Sequence, residues 1–255
     1  MIGALVVVLI IAVISYKVYS DRKKRIVDFQ LPKDTSTLLS QHVTFYRELS
    51  DKDKAVFEAR IKDFLANVSI TGVDVEVEDL DRLLIASGAI IPIFSFPTWR
   101  YNNISEVLLY KGTFNKEYDT DGAERNILGM VGDGALHREM ILSKPSVRSS
   151  FANDNDGHNT VIHEFVHLLD KADGAVDGVP EYLLSKPYII PWVKRMRESI
   201  EQMRQTGRSD INLYAATNDA EFFAVVSEYF FEKPHELEAH HPELYKMLEQ
   251  MFHPQ

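Results

Sequence analysis

The sequence predicts an α+β domain with a small sheet and a mainly helical C-terminal half, preceded by one N-terminal transmembrane helix. Three observations carry this prediction. Helical apolar spacing gives way to alternating segments after residue 70 and returns beyond Gly157. The first sixteen residues contain no charge. No internal repeat or low-complexity stretch divides the 255 residues. With 45% hydrophobic and 26% charged residues, the chain supports one good-sized core once its N-terminal segment is set aside.

Residues 1–20 read as a transmembrane anchor in contact with the lipid bilayer. The apolar run from Met1 to Ser15 is short for a span of about 20 residues. Tyr16, Lys17 and Tyr19 suit the interface, where the lysine snorkels outward. A cleaved signal peptide carries its positive charge before the apolar run, whereas Arg22, Lys23, Lys24 and Arg25 follow it here. That basic cluster predicts an uncleaved single-pass anchor in the inner membrane, with the rest of the chain on the cytoplasmic face. Residues 21–36 then form a basic juxtamembrane linker, and residues 37–255 form the folded domain.

Two helices are expected between Ser40 and Asn67, the second opened by Ser50 and burying Phe57, Ile61, Phe64 and Leu65. Strict alternation over Val73–Val77 predicts a strand, and an apolar helix should run through Leu83–Ser87. Glu106–Tyr110 and Glu139–Ser143 read as further strands, with turns at Gly122, Gly129, Gly132 and Gly134. The strand Glu139–Ser143 is expected to offer a free edge to an extended peptide.

The chemistry concentrates in Val161-Ile-His-Glu-Phe-Val-His-Leu-Leu-Asp170. His163 and His167 are four residues apart, so a helix places both imidazoles on one face, with Glu164 beside them. This H-E-x-x-H spacing predicts a Zn²⁺ site in which Glu164 is general base and then general acid toward a zinc-bound water. Asn153, Asp156 and Asn159 are candidate N-caps for the helix. Two histidines and an acid inside an otherwise apolar helix need partners, and a metal satisfies them together.

Spacing leaves three candidates for the third ligand. Asp173 lies ten residues after His163, but Asp170 stands where a glycine would be needed to turn the chain back to the metal. Asp170 itself reads as a buried acceptor for a histidine ring N–H. Glu221 and Glu228 lie two turns apart on a later helix over Asn218–Phe231, and both can face the first helix.

The segments His163–Asp170 and Tyr214–Phe231 resemble the zinc peptidases of the Mlc titration factor A family, which in turn resemble the catalytic domain of anthrax lethal factor. The resemblance implies a zincin-like, gluzincin-type metallopeptidase domain acting on a peptide or protein substrate, with aminopeptidase-like activity. It also implies a regulatory protein partner. It favours Glu221 as the third ligand, and Tyr214, seven residues earlier, as donor to the developing oxyanion.

Composition removes several alternatives. With no cysteine, there is no disulfide, Cys-ligated zinc, iron–sulfur cluster or thiol nucleophile. A net charge of −10 argues against a nucleic acid partner. The competing function is a membrane-tethered regulatory binding protein in which zinc is mainly structural. Glu164 separates the two, since a structural site needs no general base.

Overall fold

The computed structural model describes residues 28–115, 127–132, 138–152, 156–184 and 186–253, with isolated positions between 17 and 26. Most of the expected anchor, Arg22 and Arg25, the turns at Gly122 and Gly134, and the cap candidate Asn153 lie outside the described residues. Among the described residues, no helix is long and apolar enough to cross a membrane.

The helical front end has three helices where two were expected: α1 (Thr35–His42), α2 (Thr44–Glu48) and α3 (Asp51–Leu65). The break falls at Val43, whose backbone is extended and whose side chain is buried, so that α2 turns Tyr46 into the core. Ser50 caps α3 by accepting the Asp53 amide hydrogen at 3.2 Å, and Phe57, Ile61 and Phe64 face inward.

The sheet consists of β1 (Ser69–Val73), β2 (Glu106–Tyr110), β3 (Gly129–Val131) and β4 (Glu139–Ser143), in the order β1-β2-β4-β3. The first three in that order are parallel, and β3 closes the series antiparallel to β4. Two expectations need correction. The strand expected at Val73–Val77 lies one segment earlier, because Asp74 takes a left-handed φ of 55° that ends pairing. Val75 and Val77 pack on the core from the loop that follows, which accounts for their alternation without a ladder. The free edge expected at Glu139–Ser143 is absent, because β4 is paired on both sides. Its residues from Met140 to Ser143 are all buried, as suits a strand covered on both faces.

Between β1 and β2 runs α4 (Asp79–Ile90), longer than expected and buried at every residue from Leu83 to Ile90. Its reciprocal Glu78–Asp81 cap fixes the start. Asp81 is fully buried there, held by Arg148 at 2.6 Å and Lys144 at 3.1 Å. Both cations come from α5 (Lys144–Ala152), which follows β4. The C-terminal half comprises α6 (Thr160–Asp170), α7 (Lys186–Thr206), α8 (Asp219–Glu232), α9 (Pro234–His240) and α10 (Pro242–Phe252). Helix α8 lies against α6, while α7, α9 and α10 pack on α8. Trp192, Phe222, Phe223 and Phe252 join them in the core.

The last turn of α8 also holds the entry to α6, where the Glu232 carboxylate accepts the Gly157 amide hydrogen at 3.1 Å. Burial pushes Glu232 up to about 7. A carboxyl group raised on folding favours the folded state fully below its unfolded value, and that contribution is lost as pH rises through the folded value. Glu232→Gln keeps an acceptor and removes the titration. Its melting temperature should match the parent near pH 4.5 and exceed it increasingly toward pH 8, by about 1–3 kcal/mol in stability. Parallel melting profiles across that range would refute this.

Candidate metal centre

Helix α6 forms where the sequence places it. Asn159 accepts the Ile162 amide hydrogen at 3.0 Å as N-cap, and Val161, Ile162, Phe165, Val166, Leu168 and Leu169 are buried. This stripe fixes the rotation of the helix. His163, Glu164 and His167 therefore share the face turned toward a cleft of about 660 Å³, which they line with Tyr214 and Glu221.

Glu221 arrives on the first turn of α8, whose cap Asn218 accepts the Glu221 amide hydrogen at 2.9 Å. His163 Nε2 lies 3.0 Å from Glu221 Oε2 and 3.1 Å from His167 Nε2, and His167 Nε2 lies 3.5 Å from the same carboxylate oxygen. Ligand atoms about 2.0–2.1 Å from a tetrahedral ion stand about 3.3 Å apart. The three atoms fit that figure, so His163, His167 and Glu221 can hold a metal ion.

Glu228, two turns further along α8, is placed differently. Its Oε1 accepts from His163 Nδ1 at 2.7 Å and its Oε2 from the Asn159 amide at 2.7 Å. It thus orients His163 from behind and ties that histidine to the cap of its own helix. Spacing alone could not separate the two glutamates. Asp173 is not brought to the cluster: Asp170 keeps helical backbone angles, and one 3₁₀ turn over Lys171–Asp173 follows before the chain turns at Gly174. The Asp173 carboxylate instead accepts the Ala175 and Glu181 amide hydrogens.

The electrostatics are those of a proton-sharing cluster. Burial opposes charge on His163, but the Glu221 and Glu228 hydrogen bonds prevail and push it up to about 10. Burial likewise opposes charge on Glu221, yet its two histidines hold it down to about 2. Glu164 is buried, forms no hydrogen bond among the described residues, and is raised above the ordinary carboxylate range by burial, with the histidines pulling the other way. The half-exposed Tyr214 has its ring centroid 6.2 Å from that of His163, and burial and the nearby Glu221 and Glu164 charges raise its phenol above the ordinary value.

The cleft's opposite wall is β3, a strand where turns at Gly129 and Gly132 were expected, since the two glycines bracket so short an apolar run. Gly129 is required there: a Cβ would sit 2.8 Å from Glu164 Cγ. Lys171, Val176 and Asp177 also line the cleft and have no motif to announce them.

A family described as glucose-regulated metallo-peptidase M90 matches residues 18–253. The chain belongs to this family. It is 30% identical over 241 residues to an uncharacterized protein of Synechocystis sp., covering 91% of this chain and 87% of that one. It is 27% identical over 222 residues to Mlc titration factor A of Pectobacterium atrosepticum, covering 80% of each, and 29% identical over 189 residues to that of Escherichia fergusonii, covering 69% of each. The family resemblance read from the two helical segments is thus established, and this member of the M90 family has a metallopeptidase-like domain with a His-His-Glu group at its cleft.

The geometry orders three alanine variants. Glu221→Ala should lose metal to a mild chelator, with affinity falling by orders of magnitude. Glu228→Ala should retain metal about 10–100-fold more weakly. Asp173→Ala should bind as the parent does. Metal content after chelator titration checks the order, and tight binding by Glu221→Ala would overturn the ligand set.

Proposed function

We propose that this M90 member is a zinc-dependent peptidase tethered to the cytoplasmic face of the inner membrane by residues 1–20. The observation that carries the catalytic part is Glu164: a carboxylate that lines the cleft with no hydrogen bond among the described residues, beside two histidines and a glutamate that converge on one point. Two imidazole nitrogens and one carboxylate oxygen suit Zn²⁺, and three protein ligands leave a position open. A bound Zn²⁺ supplies Lewis acidity there, polarising a peptide carbonyl and lowering the pKa of a coordinated water toward about 7.

In this reading His163, His167 and Glu221 are the metal ligands. Glu164 is general base toward the attacking water and returns the proton to the leaving amine nitrogen. Its raised affinity for a proton suits that exchange. Burial and the nearby Glu221 and Glu164 charges keep the Tyr214 phenol protonated, so it can donate to the oxygen on which negative charge develops.

The substrate strand lies along β3. Hydrogen bonds from Ser143 N to Leu128 O and from Gly132 N to Glu139 O set the ladder to β4. By antiparallel alternation the polar groups of Gly129 and Val131 point away from β4, on the cleft side. Among the described residues no strand pairs with Gly129 or Val131, while Phe114 bridges Ile127, two residues earlier on the same edge. An extended peptide can take those bonds. The name Mlc titration factor A implies a protein partner for those relatives, and we extend to this chain only the class, a regulatory protein.

Glu164→Gln should keep stoichiometric zinc and lose peptide hydrolysis by several orders of magnitude, while Tyr214→Phe should lower kcat about 10²–10³-fold with KM little changed. Hydrolysis by Glu164→Gln at the parental rate would end the mechanism, whereas a parent that holds stoichiometric zinc and hydrolyses no peptide would leave the structural-zinc alternative.

The anchor rests on the uncharged run before Lys17 and the basic cluster after it. The full chain should stay with membranes through carbonate extraction, with its domain protected from protease in intact cells. A processed form released outside the cytoplasm would contradict it.

A further inference from the structure

Two polar atoms on α6 are left over. His167 Nδ1 and Asp170 Oδ1 are buried, and neither has a hydrogen bond partner among the described residues. They belong to residues three apart on one helix, hence on one face, and without a metal on His167 they are not hydrogen bonded to each other. Chemistry makes the coincidence specific. If His167 Nε2 gives its lone pair to a metal, the ring's one remaining proton is on Nδ1, and that buried N–H then needs an acceptor.

His163 shows what such an acceptor looks like. One oxygen of Glu228 accepts from His163 Nδ1 and the other from a backbone amide, that of Asn159. Asp170 has half of the same wiring: its Oδ2 accepts the Gly178 amide hydrogen at 2.8 Å, and its Oδ1 is free. Gly178 in turn is held on every side. It takes a left-handed φ of 74°, its carbonyl accepts from Trp192 Nε1 at 2.6 Å, and a Cβ there would lie 2.3 Å from the Asp219 carbonyl oxygen. The turn around Gly178 is thereby clamped between the end of α6 and the start of α8, two residues before Glu221. Val176 and Asp177, in the same turn, line the cleft.

We propose that Asp170 is the positioning residue of His167: its Oδ1 accepts the Nδ1 proton and selects the tautomer that presents Nε2 to the metal. Its Oδ2, through Gly178, locks the cleft turn to the first turn of the helix that carries Glu221. One carboxylate thus sets a ligand and the wall beside it. The inference rests on the reading of His163, His167 and Glu221 as a metal centre, and its test separates the two.

The first measurement needs no Asp170 variant. Histidine nitrogen NMR on the full chain loaded with Zn²⁺ alone should show His167, assigned through His167→Gln, protonated at Nδ1 and metal-bound at Nε2. The reverse arrangement overturns the proposal. Then Asp170→Asn and Asp170→Ser should weaken Zn²⁺ affinity about 10–100-fold by chelator competition. The slowly exchanging Nδ1 proton of His167 should be lost, a change that mere loosening of the core would not produce selectively. In the same assay His163→Ala must lose Zn²⁺ by orders of magnitude. If it does not, the metal centre itself is wrong. If it does, while Asp170→Asn binds as tightly as the parent and keeps the Nδ1 signal, only the role of Asp170 falls.

Discussion

Helix α6 buries a broad apolar surface and in doing so carries His163, Glu164 and His167 inside with it. Polar side chains cannot be left unpaired in such surroundings without a cost comparable to a sizeable share of the stability of a domain. Much of the C-terminal half answers that constraint. Helix α8 is packed along α6 and brings two carboxylates, one to the histidine Nε2 atoms and one to His163 Nδ1. The caps at Asn159 and Asn218 set where each helix begins, and so where each group falls along the cleft.

The two helices are also tied to each other away from the cluster. Glu228 bonds the Asn159 amide at the start of α6, and one turn later Glu232 bonds that of Gly157. At the other end, Asp170 reaches Gly178, which lies against the first residue of α8. A pair of helices fastened at both ends keeps its ligand atoms near one separation, which is what a metal site demands of its scaffold. The front helices and the buried α4 supply the apolar body on which this pair rests.

The part of this arrangement that could be read from the sequence follows from how far local spacing reaches. His163, Glu164 and His167 were legible because an offset of four residues maps directly to one helix face. Glu221 and Glu228 were legible as a pair and not as individuals, since an offset of seven puts both on the same face and only the packing decides which nitrogen each one meets. Tyr214 sits on a 3₁₀ turn outside any periodic segment, so resemblance, not pattern, pointed to it. The edge strand β3 was missed because three residues next to glycine carry too little alternation to register. The inward position of β4 was hidden for another reason: a strand buried on both faces and a strand at an edge can share the same short apolar run, and the partner that covers its outer side is β3, itself too short to be legible.

Glu164 bears most directly on what kind of site this is. His163, His167, Glu221 and Glu228 all repay their burial by bonding one another, and Asp170 bonds a backbone amide. Glu164 has no such return among the described residues. Its side chain is largely buried, but its carboxylate lines the cleft, is raised in proton affinity and has no hydrogen bond among the described residues, and a Cβ at Gly129 would crowd it. A scaffold selected only to hold a metal would gain by replacing it with an apolar residue of similar size. In the proposed reading, a group so placed between a ligand cluster and the β3 edge is kept for chemistry, and its position suits hydrolysis better than a merely structural ion.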